Sequence, residues 1–422
     1  MFTVSMSEMK NLLNHAIDNN FRLQDEGKRP IAVGIEGDAG LGKTSLVEEI
    51  AKDRGMGFTK LVLSQLEESG DLCGYPQIEY ECQVAKKVKG EDGTVRLQIL
   101  PGTVWLNAKQ LDGMEKGTFR QTGRTHMGYA KPAWVPEYNE NGTILLLDDY
   151  SRANQTLLQS VMEIIATQGY VSWKLPKKTT VVLTSNPDNG SYNVQTQDEA
   201  QVGRYVGYSI VFDENSWAQW AEEYGVDGRC INFVLSYSNE LFGSDEEGNH
   251  ICNPRSFVMF SDMISGIKDW DNPDNLAFIT TISRGCFKDE RGRFSTMFSS
   301  FIRNKMHLLI QPKDMLLGGW DRIKGILEQT VYDTDGHYRS DIASLLERRF
   351  TNYGSAWLNS DGKTPIDTVK KRILDFLDYE QITGKRIFGK DMFYHMIKNI
   401  TSTHKNQTNK LLFEPKIAKI LS

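Results

Sequence analysis

At 422 residues the chain is too long for one compact core, and two or three domains are expected. Hydrophobic residues make up 39% and charged residues 25%, with both signs interspersed, which excludes a disordered or fibrous chain. A formal net charge of -6 leaves no global basic field to draw the protein onto nucleic acid or anionic lipid, so any such contact must be local.

The cysteines (Cys73, Cys82, Cys230, Cys252 and Cys286) are odd in number, widely spaced and without a C-x-x-C pair. That argues against a disulfide framework or a zinc site and fits a reducing compartment. The seven histidines are scattered, none four residues from another as in a helical metal pair, and read as structural. The N-terminus, Met1-Phe2-Thr3-Val4-Ser5-Met6-Ser7-Glu8, lacks a basic leader with an apolar core, and no run of about 18 apolar residues occurs, so a cytoplasmic protein that does not enter membranes is expected.

In chain order, Ser7 reads as an N-cap without a full capping box, and Met9, Leu12, Leu13, Ala16 and Ile17 recur behind it at helical spacing. A short apolar strand follows at residues 31–35, then a glycine-rich loop, then helical spacing over residues 45–51. Further apolar runs lie at residues 60–63, 143–147 and 179–183, with a helix around residues 160–165 and a last strand at residues 209–212. Near-continuous apolar strands predict a parallel sheet covered on both faces.

Residues 86–131 differ from their surroundings: Lys86, Lys87, Lys89, Arg96, Lys109, Lys116, Arg120, Arg124 and Lys131 outnumber the acids there, and the segment reads as an insertion or long connection carrying turns. Beyond Asp213 helical periodicity takes over, as in Trp217-Ala218-Gln219-Trp220-Ala221 and in residues 366–374. The expected division is an α/β nucleotide-binding core over residues 1–213, a helical lid over 214–288 and a helical C-terminal region of unknown role over 289–422. The aromatic-rich stretches around Phe294, Phe298, Phe376 and Tyr379 are expected in the core.

The chemistry concentrates in Gly37-Asp38-Ala39-Gly40-Leu41-Gly42-Lys43-Thr44, followed by Ser45. The spacing G-x-x-x-x-G-K-[ST] between a strand and a helix lets backbone N–H groups surround phosphate oxygens. Lys43 would reach the β and γ phosphates of ATP and Thr44 would be a Mg²⁺ ligand. Downstream, Leu145-Leu146-Leu147-Asp148-Asp149 ends a buried strand in two carboxylates, as a Walker B motif does. The first, Asp148, would serve the metal and the second, Asp149, would orient or deprotonate the attacking water. A third strand runs into Thr184-Ser185-Asn186-Pro187, placing an amide where it can hold water near the γ-phosphate. Arg204 precedes the last strand, and Arg255 stands in Asn253-Pro254-Arg255-Ser256 within the helical part.

This order of parts resembles AAA+ ATPases, and more narrowly the MoxR branch. Its D-E-I-N-R-A pattern is matched by Asp148-Asp149-Tyr150-Ser151-Arg152-Ala153. A segment like Asp71-Leu72-Cys73-Gly74-Tyr75-Pro76 precedes it, and one like Glu199-Ala200-Gln201-Val202-Gly203-Arg204-Tyr205 follows the asparagine. Residues 168–176 resemble the family's hairpin before the sensor strand. The resemblance covers about residues 30–260.

The resemblance implies an AAA+ P-loop core with a helical lid, and a Mg²⁺-dependent ATPase. Asn186 would be the sensor-1 residue, Arg204 an arginine finger acting on a neighbouring subunit's nucleotide, and Arg255 the sensor-2 arginine. It further implies a ring, as a hexamer, that remodels a protein client in a chaperone-like way, with a von Willebrand A-type partner. The family carries glutamate where Asp149 stands; a side chain one methylene shorter falls about 1 Å short, which can cost on the order of 10²-fold in rate. Two other readings follow from the residues: a motor or loader on nucleic acid, through the basic stretch with Trp105, Phe119, Tyr129 and Trp134, and a nucleotide-gated scaffold that hydrolyses slowly.

Overall fold

The computed structural model describes residues 2–89, 95–115, 117–188, 203–243, 250–287, 289, 291–333, 335–361, 366–403 and 411–421. The chain falls into two compact units, one of residues 1–38 and 42–211, the other of residues 39–41 and 212–422.

The first unit is built on a six-stranded sheet in the order β1 (Phe2–Val4), β12 (Tyr205–Ile210), β2 (Ala32–Glu36), β11 (Thr179–Ser185), β8 (Thr143–Asp148) and β3 (Gly57–Val62). Every neighbouring pair is parallel. The long apolar runs are explained by burial on both faces. Leu145, Leu147, Val181 and Leu183 join one core with Leu157, Leu158 and Val161 of α5 (Gln155–Thr167), while the alternate positions Ile144, Leu146 and Val182 are buried as well.

α1 (Met6–Asp25) starts two residues earlier than the periodicity predicts. Its N-cap is Ser5, and Glu8 reciprocates in a full capping box, so the cap lies outside the periodic stretch. Strand β1, too short to show a pattern, was not expected. The last strand begins at Tyr205 rather than at residue 209.

The basic segment requires a larger correction. It is a four-stranded antiparallel sheet centred on β4 (Pro76–Lys89), which pairs with β5 (Val95–Ile99), β6 (Val104–Asn107) and β7 (Phe119–Tyr129). Most of β7 is exposed, from Arg120 to Met127, so no apolar alternation marks it as a strand. Gly74 stands at its entrance with a φ of +87°, and a Cβ there would lie 1.7 Å from the Ala130 carbonyl oxygen, where the sheet returns. The hairpin of β9 (Gly169–Tyr170) and β10 (Trp173–Lys174) is present as expected, and the Trp173 indole donates to the Cys73 carbonyl at 2.8 Å.

In the second unit, residues 212–422 share one apolar core across the division expected at residue 288, so the segments read as lid and C-terminal region pack together. Its centre is aromatic, with Phe233, Phe257, Phe260, Phe294 and Phe298 fully buried; Phe376 is buried farther along the same core. Arg349 is 1% exposed and fully engaged: it donates to Glu222 at 2.7 Å, to the Gly228 carbonyl at 2.9 Å and to the Asn232 and Gln311 side chains. Partners on every side are what allow a guanidinium to be buried at all.

In the first unit the P-loop strand depends on a contact of glycine with an aromatic ring. Gly34, central in β2, lies under Tyr205 of β12, and an added Cβ would meet the ring at 2.4 Å. Gly34→Ala is therefore expected to destabilise the first unit by about 1–3 kcal/mol through overpacking. Gly34→Ala/Tyr205→Leu should recover part of the loss in denaturant unfolding; equal stability of Gly34→Ala and wild type would contradict the contact.

Candidate functional site

The loop from β2 to α2 (Lys43–Asp53) carries the glycine-rich motif. Gly40 and Gly42 have φ values of +87° and +86°, a region that favours glycine. Gly42 is the N-cap of α2 and offers no side-chain oxygen, so the first N–H groups of the helix point outward without a capping side chain. That arrangement suits an anion. Ala39, Gly40 and Leu41 group with the second unit, and the geometry below concerns the first.

Lys43 opens α2 and is 9% exposed. Its ammonium donates to the carbonyls of Gly37 at 2.6 Å and Asp38 at 2.9 Å, and to Asn186 Oδ1 at 3.2 Å. Asn186 follows β11, which lies between β2 and β8, so the strand order itself carries this amide to the P-loop lysine. The Gly37 N–H donates to the Ser185 carbonyl at 3.2 Å and ties the two strand ends together.

Asp148 closes β8. The Thr44 hydroxyl donates to its Oδ1 at 3.0 Å, the Thr184 hydroxyl donates to the same oxygen, and the Lys60 ammonium lies 3.0 Å from Oδ2. Burial pushes this carboxyl up, but the hydrogen bonds from Thr184 and Lys60, the Lys60 charge and the Thr44 hydroxyl together outweigh burial and hold it below the usual carboxylate range. An ionised carboxylate beside a hydroxyl is a hard oxygen donor set of the kind that suits Mg²⁺, and Thr44 and Asp148 would hold the ion.

Asp149, the next residue, is held differently. Its φ of 54° places it in the left-handed region, which aspartate tolerates better than most side chains. Its N–H donates to Thr184 Oγ1 at 3.3 Å, and its carboxylate lies 3.9 Å from the Arg152 guanidinium while remaining partly exposed. The Thr184 hydroxyl thus joins the two acids, accepting from the backbone of one and donating to the side chain of the other. Thr184 and Lys60 were both visible in the sequence, but as ordinary strand residues. The available signal was positional: Thr184 stands two residues before Asn186, and Lys60 two residues before Val62, which is in register with Asp148.

Of the remaining candidates, Arg204 lies apart from this cluster, while Arg255 packs against Gly40 of the loop, where an added Cβ would meet Arg255 Cβ at 3.1 Å. Arg204 is exposed and immediately precedes β12, at the end of the sheet opposite the P-loop. Tyr205 is in register with Ala32, five residues before Gly37, a span of about 16 Å along the strand. Arg255 belongs to the second unit, in the first turn of the helix Pro254–Ile264, behind a capping box of Asn253 and Ser256. Glu199, Ala200, Gln201 and Val202, with Lys116 of the basic stretch, lie outside the described residues.

No family model and no curated protein matches this chain. Among solved structures it is similar to the RuvB Holliday junction branch migration motor of Thermotoga maritima, at 14% identity over 66% of this chain and 71% of that one, with a TM-score of 0.34. It is also similar to an ATPase candidate from Cytophaga hutchinsonii, at 13% identity over 98% and 88% of the two chains, with a TM-score of 0.27. Strand order and P-loop placement, rather than these distant likenesses, carry the fold: an α/β P-loop core, its parallel sheet flanked by helices, followed by a mostly helical region. Among the described residues no helix is long and apolar enough to cross a membrane.

Thr184→Val should cost about 1–2 kcal/mol at neutral pH, since it strips a donor from Asp148 and the acceptor from the Asp149 N–H. Because the folded Asp148 titrates below its ordinary value of 3.8, the stability it contributes is present above that value and is lost as pH falls through the folded one. The gap between wild type and Thr184→Val in urea unfolding should therefore be full above about pH 4 and narrow below it. A gap that widens on acidification would contradict this account.

Proposed function

We propose that the protein binds ATP with Mg²⁺ and hydrolyses it as a ring-forming AAA+ ATPase. The observation that supports this most is the convergence, around the uncapped start of α2, of the Lys43 ammonium, the Thr44 hydroxyl, the Asp148 carboxylate and the Asn186 amide, drawn from two adjacent parallel strands and one helix.

In this reading the loop N–H groups and Lys43 bind and orient the phosphates. Mg²⁺, when bound, neutralises charge on the phosphate oxygens. Asp149, less encumbered than Asp148, takes the proton of the attacking water, and Asn186 orients that water. Arg204 completes the site of a neighbouring subunit: it is exposed, and the length of β2 separates it from its own P-loop, farther than an arginine side chain extends. Arg255 serves as the sensor-2 arginine. The resemblance to the MoxR branch points to a protein client and a von Willebrand A-type partner, with a hexamer as the ring.

A nucleotide-binding assay and a turnover assay separate the roles. Lys43→Ala should lose ATP affinity by tenfold or more, roughly the loss of one charge-assisted contact. Asp149→Asn should keep binding and lose on the order of 10²- to 10⁴-fold in turnover. Asp149→Glu should raise turnover if reach is limiting, and no rise would remove the slow-scaffold reading that rests on the short side chain. Arg204→Ala should be inactive alone yet partly recovered when mixed with Lys43→Ala, since mixed rings contain intact composite sites. Failure of that complementation, with a monomer at micromolar concentration in ATP and Mg²⁺, would sink the ring.

A second reading, action on nucleic acid, draws on the antiparallel sheet. Its acids are used internally: Glu79 meets His126 at 2.9 Å, Glu81 accepts from Thr103 and Thr122, and Glu115 pairs with Lys87. Arg120 and Arg124 stay exposed, and Trp105 stacks on His126 with ring centroids 3.7 Å apart. Exposed cations beside an aromatic ring suit a single strand. Oligonucleotide binding at low salt that weakens about tenfold in Arg120→Glu/Arg124→Glu would favour it, as the loss of two backbone contacts. No binding at low salt would remove it.

A further inference from the structure

Lys60 lies on the edge strand β3, where a lysine has an ordinary use: charged side chains on sheet edges discourage pairing with other chains. The position of its ammonium suggests more. It sits 3.0 Å from Asp148 Oδ2, and its side chain keeps 40% of its exposure while that of Asp148 keeps 14%. The other carboxylate oxygen receives two hydroxyls, from Thr44 and Thr184, and so gains hydrogen bonds without gaining a positive charge. The formal charge that balances this recessed carboxylate comes from Lys60.

A divalent ion drawn to Asp148 and Thr44 would meet that ammonium at close range, and the two cations would repel. Only one of them has somewhere to go. The lysine stem is flexible and partly in water, so its head can withdraw into solvent without disturbing the packed strands. Thr44 and Thr184 are held by α2 and β11 and cannot follow.

We propose that Lys60 is the resident counter-ion of Asp148, exchanged for Mg²⁺ when nucleotide loads, so that it sets the Mg²⁺ concentration at which the site fills. This rests on the nucleotide-site reading above. Lys60 is a positioning residue: it aims the carboxylate in the metal-free protein, and it competes with the metal for it.

Full-length protein is titrated with a fluorescent ATP analogue in EDTA and then with increasing Mg²⁺. In Lys60→Met, which keeps the stem and removes the charge, the Mg²⁺ midpoint should fall roughly three- to tenfold, the scale of a partly exposed ion pair against a divalent competitor. Lys60→Arg should stay near wild type. An unchanged midpoint in Lys60→Met, or equal shifts in both variants, overturns the proposal and leaves Lys60 as an edge guard. Wild type that binds no analogue even with Mg²⁺ instead overturns the nucleotide-site reading itself.

Thermal melting supplies a readout that needs no nucleotide. In EDTA, Lys60→Met should melt below Lys60→Arg, because Asp148 then lacks its counter-ion, and millimolar Mg²⁺ should close part of that gap. Identical melting of the two variants with and without Mg²⁺ overturns the exchange.

Discussion

Strand β11 is buried along all seven of its residues, between the strand that leads into the P-loop and the strand that ends in the paired acids. Polar groups on such a strand must find partners inside the protein, because water cannot reach them. Thr180 receives a hydrogen bond from Asn20 of α1, Thr184 is consumed by Asp148 and Asp149, and Asn186 just beyond the strand accepts from Lys43. The need to satisfy one central strand therefore brings the separate motifs of the sequence into a single cluster.

The same requirement sets two adjacent aspartates in different surroundings. Asp148 completes the strand and is surrounded by donors, so its charge is fixed in place and its titration is pulled down. Asp149 has turned into the left-handed region at the strand end; its backbone is anchored through Thr184 while its carboxylate stays partly exposed near Arg152. A carboxylate surrounded by hydroxyls and an ammonium is a poor base, while its negative charge suits a cation. One with exposed oxygens stays open to solvent and to other partners. Chemistry of this kind is not visible in the letters Asp-Asp, which are identical at both positions.

Legibility in the sequence follows the strength of the local signal. The three central strands of the parallel sheet, β2, β8 and β11, were readable because burial on both faces leaves unbroken apolar runs, and the P-loop because two glycines at fixed spacing serve a backbone that other residues resist. The antiparallel sheet was not readable: exposed from Arg120 to Met127 in β7, it owes its existence to cross-strand hydrogen bonds with β4 that composition does not report. Lys60 escaped notice for a related reason. Its partner lies 88 positions away by residue number and meets it only through the register of β3 against β8. Nothing local marks Arg204 in the sequence, and the role proposed for it comes from resemblance alone.

Sheet polarity bears on Arg204 more directly than any motif does. In a parallel sheet every strand points its C-terminal end toward the same side, and here the P-loop, the paired acids and Asn186 all follow C-terminal ends. Arg204 precedes an N-terminal end and is therefore on the other side of its own sheet by construction. A change of rotamer cannot bridge the length of a strand, about 16 Å for the five residues that separate Ala32 from Gly37. If this guanidinium acts on a nucleotide, the nucleotide is held by another copy of the chain, and the cluster around Lys43 is then half of a site that closes only across a subunit boundary.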